Sequence, residues 1–356
     1  MELINLLINN PKQNKILFFS DLHLGVHQNS QTWHNISLDL ANWVKKVMEE
    51  QCLDTIIFAG DVFHDRHEIG VNTLHVAKKF FDILGKYNIH LIPGNHDAFL
   101  SSTVEVNSVE ILERPNVHVY SKPTIVSFGD KTVAFCPWKT DLKELTKVDM
   151  IVGHFELMNF KMNTTKICDK GDNSTDLLAL SNAVISGHFH YREKRDYENK
   201  YVLYLGSPYE MDFSDREQQK GVSIIDFDNF NVEFIANNIT PKHHRLKISD
   251  ILQKKYQNIS SVIKNNIISL YVDTKLDTLT LDLLTSKLTQ YNPLQFRVEF
   301  DILDTAQVDT AEVKKLSIDI ETAFHEFIEH VDTRATKKEV LDKCLELYKI
   351  HQTVHE

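Results

Sequence analysis

Residues 89–97 read Ile-His-Leu-Ile-Pro-Gly-Asn-His-Asp: an apolar run, Ile89–Ile92, that breaks into Gly94-Asn95-His96-Asp97. A short β-rich run followed by glycine and then by side chains able to bind metal reads as a strand ending in a functional loop. The same grammar recurs on both sides. Upstream, Ile16–Phe19 leads into Asp21-Leu22-His23, and Thr55–Ala59 into Gly60-Asp61-Val62-Phe63-His64. Downstream, Met150–Val152 leads into Gly153-His154, and Ala183–Ile185 into Gly187-His188-Phe189-His190. In an α/β sheet the loops at the carboxyl ends of strands form the functional rim, so turns spread from Asp21 to His190 can meet at one place. Glycine stands directly before the cluster in four of the five, where it is expected to supply positive φ and a close approach.

Between these runs, Trp33–Glu50 and Asn72–Lys86 read as helices, with Leu74, Ala77, Phe81 and Leu84 at helical spacing. Val117–Tyr120, Thr124–Phe128, Thr132–Cys136, Tyr201–Tyr204, Val222–Phe227 and Asn231–Ile235 read as strands of a second, more antiparallel sheet. The expected fold is α/β: two packed sheets flanked by helices (α/β/β/α) over residues 1–240. The pattern restarts after Asn237–Pro241 with strand, helix and strand at Ile267–Val272, Thr278–Gln290 and Leu294–Leu303, a small α+β domain over 241–310. Residues 311–356 read as a helical hairpin with two apolar stripes, one carrying Phe324 and Phe327, the other Leu341, Leu345 and Tyr348.

The chain has 356 residues, 39 Lys+Arg against 50 Asp+Glu, a net charge of −11, and 18 histidines. The length exceeds what one core usually serves, and the acidic balance excludes binding to nucleic acid by bulk positive charge alone. Cys52, Cys136, Cys168 and Cys344 form no CxxC pairing, against both a disulfide framework and a thiolate zinc site. No run approaches the roughly 18 apolar residues of a membrane span. The expected location is the cytoplasm.

Any one of these motifs taken alone is as well explained by a core histidine. Five in order, each where a strand should end, point to a metal centre. Histidine nitrogen mixed with carboxylate and amide oxygen, without thiolate, suits Mn, Fe or Zn. Seven ligands exceed the needs of one ion, so two adjacent divalent ions are expected, the usual device for hydrolysing phosphate esters.

The series DxH, GDxxH, GNHD, GH, GHxH resembles that of the calcineurin-like metallophosphoesterases over about residues 15–240. GDVFHDR at 60–66 and LGSPYEMDFSDREQQKGVSIIDFD at 205–228 are similar to the double-strand-break repair nucleases of the SbcD type. IPGNHD, VGHFEL, SGHFH and NNIT are most similar to the recombination endonuclease subunits of tailed phages. The resemblance implies one ion held by Asp21, His23, Asp61 and His190 and a second by Asp61, Asn95, His154 and His188, Mn2+ foremost. It implies His96 as the catalytic histidine, Asp97 as the residue that orients it through a hydrogen bond, and His64 as a histidine near the scissile phosphate. It further implies duplex ends and single strands of DNA as substrate, an SMC-like ATPase as partner, a homodimer, and docking of that ATPase on Phe324, Phe327, Leu341, Leu345 and Tyr348.

Charge is unevenly placed, and the basic stretch at 242–266 reads equally as a DNA contact or as an ordinary solvated linker. Residues 301–356 hold 13 acidic and 7 basic side chains, whereas 242–266 hold six basic against Asp250. Two other readings stay open: a phosphoesterase acting on nucleotides or phosphoproteins, and a scaffold that keeps the fold without catalysis.

Overall fold

A computed structural model describes residues 2–6, 14–300, 336–343 and 345. The chain divides into two compact units, residues 1–270 with 274–298, and residues 271–273 with 299–356.

The first unit is built on two sheets. One has six strands in the order Val232–Ala236, Gly221–Asp226, Lys15–Phe19, Thr55–Phe58, Asn88–Leu91, Val117–Val119. The other has seven, ordered Glu2–Leu6, Thr124–Phe128, Lys131–Cys136, Met150–Gly153, Ala183–Ser186, Lys200–Tyr204, Glu193–Tyr197. The layering follows from strands that are apolar on both faces. In Lys15–Phe19, Ile16 and Phe18 enter the core between the sheets with Val126, Phe135, Val152 and Ile185. Leu17 and Phe19 point the other way, into a second core with Leu40 and Val44 of the helix Gln31–Glu50 and Phe80 of the helix Val71–Ile83. A third cluster covers the far face of the seven-stranded sheet, where Ile151, Val184 and Tyr204 meet Leu177 of the helix Ser174–Leu180. Helix, sheet, sheet and helix are thus stacked as expected.

Sheet membership differs from the sequence expectation. Val117–Val119, Gly221–Asp226 and Val232–Ala236 join the sheet of the first three ligand-bearing strands, while Met150–Gly153 and Ala183–Ser186 lie in the other. That second sheet is mainly parallel, with antiparallel pairs only at Thr124–Phe128 with Lys131–Cys136 and Glu193–Tyr197 with Lys200–Tyr204. A strand buried on both faces has no polar side to reveal its neighbours, so hydrophobic pattern alone cannot assign it to a sheet.

A three-stranded sheet follows, ordered His243–Lys247, Ile267–Val272, Gln295–Phe300, with the helix Thr278–Thr289 before its last strand. In the tail, 337–343 is helical and Leu341 and Leu345 are half-buried; Phe324, Phe327 and Tyr348 lie outside the described residues. Among the described residues no helix is long and apolar enough to cross a membrane.

Candidate metal centre

All five ligand-bearing strands end at one place. The first two turns are laced together by their backbones: Asp21 N–H donates to the Gly60 carbonyl at 2.9 Å, and the N–H groups of Leu22 and His23 to the Asp61 carbonyl at 2.8 and 3.1 Å. Four of the converging residues take left-handed backbone conformations themselves, Asp21 (φ 55°), His23 (46°), Asp61 (61°) and His188 (86°). Non-glycine residues held there store strain, which persists where the surrounding structure over-determines it. The glycines meet the expectation of close approach more than that of positive φ. Among those that precede a ligand only Gly60 has positive φ, at 94°. Gly94 is required for space, because a Cβ there would stand 2.2 Å from Asp61 Oδ1.

The side chains form two groups that share Asp61. In one, His23 Nε2 faces His190 Nε2 at 3.0 Å and Asp61 Oδ2 at 3.6 Å, and Asp21 joins them. In the other, Asn95 Oδ1 lies 2.9 Å from His154 Nε2 and 2.8 Å from His188 Nδ1, with Asp61 Oδ2 at 3.2 Å from His154 Nε2. His154 Nδ1 donates to the Ala59 carbonyl at 2.8 Å, which turns Nε2 toward the cluster. The seven residues expected as ligands are thus brought together, each offering a nitrogen or oxygen donor. Imidazole nitrogens that face each other without an acceptor between them, beside two carboxylates with at most 1% exposure, make a donor set that fits divalent cations.

Charge at the centre is under tension. Burial alone would raise the Asp61 carboxyl, but the His154 ring beside it overrides this and holds it below the ordinary carboxylate range. Burial works against a charged His154, yet Asp61 holds it up to about 9. Burial pushes Asp21 up and His23 well down, and burial with the neighbouring His154 takes His188 down to about 3.

His96 and His64 stand on the open side of the first group. The His96 and His64 rings are 4.7 and 5.4 Å from His23. Asp97 does not perform the expected task. Its carboxylate accepts the backbone N–H groups of Asp61, Val62, Phe63 and Gly94, at 2.8, 3.0, 3.0 and 2.9 Å. His96 is oriented instead by its Nδ1 donating to the His64 carbonyl at 2.6 Å. Four donors on a fully buried carboxylate leave it no reach to a ring, and they make Asp97 the clamp that fixes two ligand turns. Burial, with Asp61 nearby, pushes the Asp97 carboxyl up to about 6.

Two features went unread in the sequence. Trp138, in the loop after Lys131–Cys136, packs its ring 5.1 Å from His188 and 6.1 Å from His154; it lies outside every motif, so no local signal marked it. Lys220, 2% exposed, donates through Nζ to the His190 carbonyl (2.7 Å), Ser207 Oγ (2.9 Å) and Asp215 Oδ1 (2.6 Å). Its signal was the QQKGVS part of the string at 205–228, a lysine directly before an apolar strand.

The calcineurin-like phosphoesterase superfamily domain matches residues 15–229. "Exonuclease subunit 1" of Enterobacteria phage T4 is 31% identical over 242 residues, covering 64% of this chain and 68% of its own length. The SbcD subunit of the SbcCD nuclease of Staphylococcus epidermidis is 24% identical over 252 residues, covering 60% of this chain and 66% of its own. Among solved structures, an archaeal phosphodiesterase matches 63% of this chain and 99% of its own at 15% identity, with a TM-score of 0.35. The domain match spans more than half of the sequence and contains every one of the converging residues: the chain belongs to the calcineurin-like phosphoesterase superfamily.

Proposed function

We propose that this chain is a two-metal DNA nuclease with exonuclease and endonuclease activity, a subunit of a recombination or repair complex. The observation that carries the reading is the convergence of two donor groups on a shared Asp61, with His96 and His64 beside them. The choice of DNA rests on the two relatives, both named as nuclease subunits.

Asp21, His23, Asp61 and His190 would hold one divalent ion, and Asp61, Asn95, His154 and His188 the other, with Mn2+ proposed for both. Bound there, the ions would supply Lewis acidity to the phosphate and lower the pKa of an attacking water. His96 manages a proton. Because its Nδ1 proton is committed to the His64 carbonyl, Nε2 is the atom that carries a proton to the leaving oxygen. His64, exposed at the same edge, contacts the phosphate being cut. An SMC-like ATPase docked on the tail residues, a homodimer, and action in the cytoplasm complete the proposal.

The test is digestion of linear duplex and single-stranded DNA with Mn2+, with chelator, and with and without the ATPase. Mn2+-dependent loss of DNA is expected, abolished by chelation; cleavage of cyclic nucleotides or phosphopeptides in place of DNA would replace the proposal with the other enzymatic reading. His96→Ser should retain both ions and DNA binding while kcat falls roughly 10²- to 10⁴-fold, the scale of positioned proton transfer. Wild-type turnover in that variant would remove His96 from the mechanism.

A further inference from the structure

One ring nitrogen of His188 has its role at the centre, and the other is stranded. Nδ1 faces Asn95, while Nε2 is buried and makes no hydrogen bond. A buried N–H without an acceptor costs about 1–3 kcal/mol, and metal-binding imidazoles generally give their second N–H to a carboxylate, a carbonyl or water. The Glu156 carboxylate stands just short of that position, its Oε1 3.9 Å from His188 Nε2.

The main chain of Glu156 is pinned, and its carboxylate is partly exposed. Its carbonyl accepts the Asp172 N–H at 2.8 Å, and Gly171 lies so close that a Cβ there would be 2.2 Å from the same oxygen. The carboxylate, 39% exposed, is held on its far side by Lys139, whose Nζ is 4.0 Å from Oε2. Lys139 is in turn set in a left-handed conformation (φ 63°) with its ammonium 4.3 Å from the centre of the Trp138 ring, the ring that packs on His188. Trp138, Lys139 and Glu156 therefore form a bracket around the unpartnered edge of one imidazole.

We propose that Glu156 is a positioning residue for His188: its carboxylate closes by about 1 Å to accept the Nε2 proton, which fixes Nδ1 as the metal-binding atom and raises its basicity. The inference rests on His188 as a metal ligand and not on DNA as the substrate. Lys139, 4.0 Å from the other carboxylate oxygen, limits the swing of the carboxylate.

The experiment is a Mn2+ titration of the full chain followed by electron paramagnetic resonance, on wild type, Glu156→Ala, Glu156→Gln and Lys139→Met. Wild type should take two ions and show the signal of a coupled pair. In Glu156→Ala the second ion should bind about 10- to 100-fold more weakly, and at two equivalents the signal should be that of isolated Mn2+, with the melting temperature of the metal-free protein unchanged. Glu156→Gln, still able to accept from Nε2, should recover part of the loss, and Lys139→Met should keep the coupled pair. Two ions bound by Glu156→Ala as tightly as by wild type, equal weakening of both ions, or the same loss in Lys139→Met would each overturn the proposal. A wild type that binds the pair yet leaves DNA intact would defeat the nuclease reading and leave this inference standing.

Discussion

The ligand turns of the six-stranded sheet and those of the seven-stranded sheet are held by different means. The first two turns share backbone bonds, Asp21 to Gly60 and His23 to Asp61, and the third is locked to the second by one carboxylate, Asp97, which takes the N–H groups of both Asp61 and Gly94. The last two share one backbone bond, Gly187 N–H to the Gly153 carbonyl at 3.1 Å, and are otherwise tied across the sheets and through side chains: His154 Nδ1 to the Ala59 carbonyl, His188 N–H to Asp21 Oδ1 at 3.1 Å, and the His190 carbonyl to the buried Lys220. The first group is cross-linked at several points, above all through Asp97. The second is assembled against it from separate anchors, so damage there should be local.

Substitutions can break this distinction. The largest effect is expected for Asp61→Ala, which removes the residue common to both groups: metal analysis should find neither ion retained, and hydrolysis should fall about 10⁴-fold or more, since several kcal/mol of transition-state stabilisation attach to the ions. Asp97→Ala comes next. It leaves four buried N–H groups without their acceptor, should lower stability by about 3–5 kcal/mol in denaturant unfolding, and should weaken both ions together because both depend on Asp61. Lys220→Met should cost about 3 kcal/mol by stranding Asp215, with part regained in the double variant carrying Asp215→Asn. Its metal phenotype should be confined to the ion shared with His190, and calorimetric titration showing both ions weakened alike would erase the contrast between the two sets of turns.

What the sequence disclosed follows the same division. Asp21, His23, Asp61, Asn95, His154, His188 and His190 were legible because each follows an apolar run directly, and strand ends in such a fold point to one rim. The layered architecture was legible for a related reason, the long apolar strands between amphipathic helices. The partition of strands between sheets was not, since Ile151 and Val184 are as buried as Ile57 and carry no mark of which sheet they pair in. Nor was the task of Asp97, whose neighbour His96 suggested a side-chain partner when the nearest demand came from backbone N–H groups of a turn 35 residues away. Trp138, Lys139 and Glu156 meet only through tertiary packing, and their types and spacing say nothing of it.

The position of the centre across two sheets has a mechanical consequence. His23 and Asp61 ride on one sheet and His154, His188 and His190 on the other, joined by a core of Phe18, Val126, Phe135 and Val152. Any slip of one sheet over the other becomes a change in ligand separation, at a scale where tenths of an ångström alter chemistry. If the two ions proposed above are bound, a cavity opened in that core, far from any ligand, should register as altered ion spacing, which would make the pair a strain gauge for the domain around it.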